Sequence, residues 1–186
     1  MKHIILPMNE KKIKYYNMIE RCSSKSFQDS HPWYRGCTVC EEWLEEPELF
    51  YEWMDENWYQ IDGESIELDK DILKKGNKTY CPEYCCPVPQ RINRMFAAES
   101  WNKSREKEDG LPVGVNSTKG GKYKPYIRNL DGEMIPTCLY DTVEEAWNSY
   151  VEHRKACRIA IADIYRGKIP EKLYWAIINW EEEMTD

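Results

Sequence analysis

An acid, a base and a second acid follow one another at Asp69, Lys70 and Asp71. They continue the segment 66–69, whose alternation of apolar and acidic residues is typical of a short strand. Carboxylates bind hard divalent cations such as Mg²⁺. A lysine has an ordinary pKa of about 10.4, so it is cationic at neutral pH and can pair with a phosphate, but it accepts a proton from water only when it is deeply buried. These residue types therefore predict contact with a metal ion or a phosphate.

The order of motifs across residues 10–96 resembles the ββα-metal core of phage HNH-type endonucleases, the His-Me finger family. In that family a strand ends in a metal-binding acid and a general-base histidine, a loop and a second strand follow, and a helix carries the last metal ligand. The resemblance rests on the opening at Tyr15, Met18 and Cys22, the stretch 34–43, the strand 66–69, the turn at Gly76 and Asn77, and the segment 80–93. It implies a one-metal nuclease core.

Matched position by position, Asp69 falls on the family's first metal-ligand acid and Asn93 on its last metal ligand. Lys70 stands in place of the general-base histidine, and Tyr84 in place of the asparagine that orients it. Because a cationic lysine cannot activate water, we expect Asp69, Lys70 and Asn93 to form a degenerate catalytic site with little or no hydrolysis. One alternative is an active Mg²⁺-dependent endonuclease with an unorthodox base. Another is a plain surface ion pair between Asp69 and Lys70.

Eight cysteines raise the question of a metal site. Cys37 and Cys40 have the C-x-x-C spacing of half a zinc site, and Cys81 with Cys85 could supply two further thiolates, although the adjacent Cys86 makes that half irregular. Free cysteines are also ordinary buried residues. We expect reduced thiols in the core and no cofactor, with structural Zn²⁺ and catalytic Mg²⁺ as the alternatives.

Every second residue from 122 to 128 has a side chain suited to DNA contact, and residues 123–129 are predicted to form a strand. Lys122, Lys124, Tyr126 and Arg128 share one face, because successive side chains of a strand point to opposite faces. Cations on such a face can contact phosphates, and side chains in a groove can read base edges. Pro125 lacks the amide proton that a ladder requires, which confines the strand to an edge or a bulge.

Residues 110–160 resemble the AP2 DNA-binding domain. The resemblance rests on the segments 110–115 and 122–127, on Gly132, and on 140–147 with Tyr150. In that family a three-stranded antiparallel sheet lies in the major groove and a helix braces it from behind. The resemblance implies that the outward side chains of the second strand contact double-stranded DNA.

The net charge of −7 is unfavourable for a nucleic-acid binder, but the charges are separated along the chain. Residues 87–130 hold nine bases against four acids, whereas 41–56 hold eight acids and no base. The basic stretch includes Arg91 and Arg94, which we add to the DNA-binding candidates. A chain that is basic only in its middle can meet phosphate over one face.

The acidic stretch favours a different class of function. Residues 39–59 predict a helix that is interrupted near Pro47 and has an acidic outer face. The acids chosen as candidates on this face are Glu41, Glu45, Glu48 and Glu52. Because their carboxylates could imitate phosphates, the alternative function is a phage-encoded inhibitor, such as an anti-CRISPR protein, that binds a host defence nuclease complex.

These patterns together predict an α+β protein with an HNH-like domain at 1–101, a charged linker at 102–110, and an AP2-like domain with a C-terminal helix at 111–186. The predicted strands of the second domain are 111–115, 123–129 and 133–140. Helices are predicted at 10–22, at 90–101, from Asp141 onward and at 170–182, and a loop at 23–32.

The composition of the chain indicates where in the cell the protein is located and which partners it binds. The charged fraction is 32%, and no apolar run approaches the roughly 20 residues of a membrane span. Residues 1–8 lack the anatomy of a signal peptide. We therefore expect a cytoplasmic protein, in the host bacterium if it is phage-encoded, whose partner is double-stranded DNA or a host defence protein. Neither a membrane nor a small-molecule substrate is expected.

Overall fold

The chain folds into helices and small two-stranded sheets, in agreement with the predicted α+β class. The computed structural model describes residues 2–103, 110–182 and 184, apart from the side chains of 97–103. Two compact units are found: Met1–Ala98 with Gly167–Leu173, and Glu99–Arg166 with Tyr174–Asp186. Most of the predicted linker, 104–109, lies outside the described residues, and a helix runs through its first two positions.

The first unit contains most of the helices and strands. Its strands form two antiparallel pairs, β1 Lys2–His3 with β3 Tyr59–Gln60 and β4 Ile66–Asp69 with β6 Cys86–Pro89, and one parallel pair, β2 Thr38–Val39 with β5 Thr79–Tyr80. In chain order the elements are β1 Lys2–His3, α1 Met8–Ser23, α2 Lys25–Ser30, a 3-10 turn at Pro32–Tyr34, β2 Thr38–Val39, α3 Glu41–Glu45, α4 Pro47–Asn57, β3 Tyr59–Gln60, β4 Ile66–Asp69, β5 Thr79–Tyr80, β6 Cys86–Pro89 and α5 Gln90–Lys103, whose last residues belong to the second unit.

Local chemistry explains where the first helices begin and end. The predicted helix at 10–22 is present as α1, but the predicted loop at 23–32 is wrong, because it contains α2. The Ser24 side chain starts α2 by accepting a hydrogen bond from the Phe27 backbone N–H at 3.2 Å. The predicted interruption near Pro47 is confirmed, because α3 ends at Glu45 and α4 begins at Pro47. Proline is well suited to the first position of a helix, since a backbone N–H at that position would have no hydrogen-bond partner within the helix.

Aromatic side chains form the core of the first unit. The Trp43 side chain is 1% exposed, and its ring centre lies 4.9 Å from that of Phe50 and 5.3 Å from that of Trp53. The Tyr15 hydroxyl donates a hydrogen bond to the Trp43 carbonyl at 2.9 Å, so its polar end is satisfied inside the core. Helices α1, α3 and α4 therefore pack around one apolar cluster, and their glutamates remain outside it.

The second unit places a helix against a small sheet. Its elements are β7 Val115–Ser117, β8 Tyr123–Pro125 and α6 Val143–Ile164; α7 Glu171–Ile178 begins in the first unit and ends in the second. The sequence predicts the start of α6 correctly, since the Thr142 hydroxyl accepts the Glu145 backbone N–H at 3.2 Å and the Glu145 carboxylate accepts the Thr142 N–H at 3.2 Å. The last helix is shorter than the predicted 170–182.

The predicted three-stranded sheet is only partly present in the described part of the chain. β7 and β8 pair antiparallel, but 133–140 forms isolated bridges, Tyr123 with Tyr140 and Arg128 with Met134, instead of a strand. Between these bridges lie residues 124–127 on one segment and 135–139 on the other, so the register shifts by one residue. Pro125 and Pro136 both fall in this interval, and neither can donate to a ladder. The extra residue lies on the 135–139 segment, and Pro125 itself ends the ladder with β7, opposite Val115.

Gly114 permits the close approach of α6 to the sheet. Its φ is +86°, and a Cβ atom there would lie 2.4 Å from the Tyr150 ring. Gly114→Ala should therefore lower the free energy of unfolding by about 2–4 kcal/mol, through backbone strain and overpacking. Gly121→Ala is the matched control, because Gly121 has φ +73° and no atom within 4 Å of the same position, and it should lose only about 1–2 kcal/mol. Equal losses in urea denaturation would contradict the close contact.

Candidate functional site

An antiparallel strand pair followed directly by a helix carries the residues that resemble a nuclease site. β4 and β6 pair from Ile66 opposite Pro89 to Asp69 opposite Cys86, and α5 begins at Gln90, immediately after β6. Asp69 and Lys70 therefore stand at the end of β4, and Asn93 stands in the first turn of α5. The resemblance implies an order of strand, strand and helix, whereas the residue pattern by itself predicts only the strand at 66–69 and the helix after residue 90.

The Asp69 side chain forms hydrogen bonds with the backbone of the residues that follow it. Its Oδ1 atom accepts hydrogen bonds from the N–H groups of Asp71 at 2.9 Å and Ile72 at 2.7 Å, which hold the turn after β4. Removal from water and repulsion by Asp71 raise the pKa of Asp69 to about 7, although the two backbone donors and Lys70 oppose the rise.

The raised pKa of Asp69 predicts how stability depends on pH. The unfolded chain loses this proton near the ordinary value of 3.8, but the folded chain keeps it until about 7, so stability falls as pH rises between these values and is constant above them. Asp69→Asn keeps the Oδ1 acceptor and removes the titration. In urea denaturation, the stability of the variant relative to the unaltered chain should rise from pH 4 to about pH 7. A constant difference across that range would contradict the raised pKa.

Lys70 is buried and cationic. Its Nζ atom donates to Asp71 Oδ2 at 2.9 Å and lies 5.8 Å from the centre of the Tyr80 ring, and the residue is 7% exposed. Burial lowers the pKa of Lys70, but Asp71, the Cys37 thiol and Asp69 more than compensate and raise it above its ordinary value. The alternative of a surface ion pair between Asp69 and Lys70 is therefore wrong, because the lysine is buried and the carboxylate that it pairs with is that of Asp71.

Asn93 is held by a glutamate that the sequence reasoning missed. The Asn93 Nδ2 atom donates to Glu67 Oε2 at 2.5 Å, and the Gln90 Nε2 atom donates to Glu67 Oε1 at 2.7 Å. Glu67 lies two residues before Asp69 on β4, so strand periodicity alone places both acids on one face and could have drawn attention to it. Tyr84, the other altered position, accepts a hydrogen bond from Lys74 Nζ at 3.0 Å.

The four cysteines of the zinc alternative do not gather at one point. Cys37 and Cys85 are buried and Cys40 is half-buried, and burial raises the pKa of all three thiols, so they are protonated at neutral pH when no metal is bound. Cys81 is half-buried beside Cys40. Across residues 2–103, 110–182 and 184, no three or more His, Cys, Asp or Glu side chains are placed to hold a metal ion. The metal-ion alternatives at Asp69 with Asn93 and at the cysteines therefore remain predictions without a ligand cluster in this part of the chain.

The strand face that the sequence predicts to contact DNA is exposed to solvent on the second unit. Lys122, Lys124, Tyr126 and Arg128 are exposed, whereas Pro125 and Ile127 between them are buried. The strand pair β7 and β8 and the continuation of β8 to Arg128 therefore present one side to solvent, and helix α6 packs on the strand pair. We call these four exposed side chains the basic face.

Neighbouring groups already fix part of the basic face. Lys122 Nζ forms an exposed ion pair with the Asp141 carboxylate. The Arg128 guanidinium donates through Nε to the Tyr126 hydroxyl at 3.1 Å, with its central carbon 5.2 Å from the Tyr126 ring centre, and it also donates to the Gly132 carbonyl. Asn116 lies opposite Lys124 in the ladder. The face thus presents an ordered arginine on a tyrosine that is 41% exposed.

The remaining candidates lie on helices of the first unit. Arg91 and Arg94 are exposed near the start of α5, three residues apart and so on one side of the helix. The four candidate acids of α3 and α4 are also exposed, namely Glu41, Glu45, Glu48 and Glu52. Beside them, Leu44 is 52% exposed and Leu49 is 38% exposed, so this acidic surface also carries apolar side chains.

Comparison of the chain with models of protein families, with curated proteins and with solved structures finds no match. No helix among the described residues is long and apolar enough to cross a membrane.

Proposed function

We propose that this protein binds double-stranded DNA through the basic face, and that its strand, strand and helix unit is a degenerate HNH-type nuclease core of the phage kind with little or no hydrolytic activity. The observation that carries the proposal is the alternation at 122–128, where exposed cations and a tyrosine alternate with buried Pro125 and Ile127. A helix-braced sheet with cations on its outer side suits contact with a phosphate backbone.

The proposal of lost hydrolysis rests on the charge of Lys70 and on the contacts of Asp69. Lys70 stays cationic because Asp71 and its neighbours raise its pKa, so it cannot serve as the general base. One of the two Asp69 carboxylate oxygen atoms is occupied by two backbone donors. These contacts support a retained scaffold whose chemistry has been lost.

Direct binding tests the proposal. The purified full chain should shift the mobility of a duplex of about 25 base pairs, and the shift should weaken as salt rises because phosphate contacts release counterions. An unshifted duplex at low salt, with the chain folded by circular dichroism, would overturn the proposal.

A second candidate function is inhibition of a host defence nuclease complex by protein binding. The observation that favours it is the exposed acidic surface of α3 and α4, where Leu44 and Leu49 lie exposed among the acids. Such a surface combines phosphate-like charge with apolar area.

Charge reversal separates the two candidates. If the acidic surface is only solvated, then Glu41→Lys, Glu45→Lys and Glu48→Lys together should change the free energy of unfolding by no more than about 1 kcal/mol and leave DNA affinity undiminished. Glu20→Lys, Asp62→Lys and Glu83→Lys provide the control, since these acids are also exposed in the first unit. Selective loss of a co-purifying host nuclease from the first variant would instead favour the inhibitor.

A further inference from the structure

Cys40 and Cys81 lie side by side at the end of the parallel strand pair of β2 and β5. The ladder pairs Thr38 with Thr79 and Val39 with Tyr80, so Cys40 and Cys81 are the next residues in register. The ladder itself ends at Val39 and Tyr80, but Cys40 keeps extended backbone angles of φ −62° and ψ 152° and its N–H donates to the Tyr80 carbonyl at 2.9 Å, so Cys40 and Cys81 directly follow the last paired residues. Neighbouring strands lie about 4.8 Å apart, within the separation of about 4.4–6.8 Å between Cα atoms that a disulfide spans.

The side chains of this pair lie on the same face of the ladder. The Thr38 and Thr79 hydroxyls, two residues earlier on each strand, are 3.0 Å apart. Strand periodicity therefore directs Cys40 and Cys81 to that same face. Both thiols are half-buried, whereas Cys85 and Cys86 just beyond them are buried, so an oxidant in solution can reach the pair but not those two.

We propose that Cys40 and Cys81 are a redox-active thiol pair that closes to an intramolecular disulfide through exchange with a small disulfide such as oxidised glutathione. The Cys81 thiolate attacks the glutathione disulfide, forms a mixed disulfide and releases one glutathione thiolate. The Cys40 thiol then gives up its proton and attacks the Cys81 sulfur, which releases the second glutathione. The two protein thiols lose two electrons and two protons in total, and glutathione disulfide is reduced to two molecules of glutathione.

Cys40 directly precedes α3, and Cys81 lies in the segment 70–84, which begins at Lys70 and ends at Tyr84. The disulfide would therefore link the start of α3 to that segment. It would close a loop between residues 40 and 81, and cross-links over long loops constrain the unfolded chain strongly. The oxidised chain should therefore unfold several degrees higher than the reduced chain. Addition of a reductant should reverse the change.

Thiol counting and peptide mapping test the pair in the intact chain. After treatment with oxidised glutathione, mass spectrometry should find one peptide pair that joins residues 40 and 81, and titration in denaturant should find that at least two of the eight thiols have been lost. Cys40→Ser should instead retain glutathione on Cys81, because the second thiol is missing. Cys138→Ser, at an exposed cysteine elsewhere, should form the link as the unaltered chain does.

Three results would overturn the proposal. The first is eight free thiols after treatment of the folded chain, and the second is a stable glutathione adduct on Cys81 in the unaltered protein. The third is about one equivalent of zinc in the purified chain that Cys40→Ser or Cys81→Ser removes, since those thiolates would then be metal ligands. Each result is independent of DNA binding.

Discussion

Lys70→His combined with Tyr84→Asn should raise Mg²⁺-dependent nicking of supercoiled plasmid by about 10²-fold over the unaltered chain. A positioned general base contributes about 10²–10⁴-fold. We expect the low end because Asn93, the last metal ligand of the resembling family, is bound to Glu67. The Asp71 carboxylate, which lies 2.9 Å from Lys70 Nζ, is placed to orient the new imidazole.

The matched control removes the lysine charge without supplying a base. Lys70→Gln with Tyr84→Asn should show no gain, and Asp69→Ala in the histidine background should abolish the gain. Robust cleavage by the unaltered chain that is lost in Asp69→Ala would contradict a degenerate site and establish an active endonuclease with a different base.

Alanine at Lys122, Lys124 and Arg128 together should weaken duplex binding by on the order of 10²-fold at low salt. A charged hydrogen bond to phosphate contributes roughly 1.5–3 kcal/mol, but Lys122 is already paired with Asp141, so its share is smaller. All three side chains are exposed and the buried residues between them are unchanged, so the fold should survive. Fluorescence anisotropy with a labelled duplex measures the loss.

A triple variant of the first unit controls for net charge. Lys2→Ala, Lys12→Ala and Lys25→Ala remove the same charge from exposed positions outside the basic face and should change affinity by less than threefold or so. Asp141→Asn should tighten binding, because it frees Lys122 from its ion pair. If both triple variants lose affinity equally, then the contribution comes from overall charge and not from this strand.

Features that depend on local sequence were predicted well. The break at Pro47 follows from its missing amide proton, and the start of α6 from the reciprocal bonds of Thr142 and Glu145. The alternation of exposure along 122–128 follows from strand periodicity. In each case the cause lies within a few residues of the effect.

Features that depend on tertiary contacts were missed. Nothing near Lys70 in the sequence shows that it is buried against Tyr80 or that its pKa is raised, because Tyr80 and Cys37 meet it only after folding. The binding of Asn93 to Glu67 likewise joins residues that are 26 positions apart. The strand predicted at 133–140 is replaced by isolated bridges, because neither Pro136 within it nor Pro125 in its partner segment can donate to a ladder.

The dependence of DNA affinity on salt tests the central claim most directly. For duplex DNA, each phosphate contact contributes about −0.9 to the slope of log affinity against log salt concentration. The slope of the variant with alanine at Lys122, Lys124 and Arg128 should be shallower than that of the unaltered chain by about 2–3, nearer 2 because Asp141 already neutralises Lys122. Coinciding slopes would show that the basic face does not meet DNA and would contradict the proposed function.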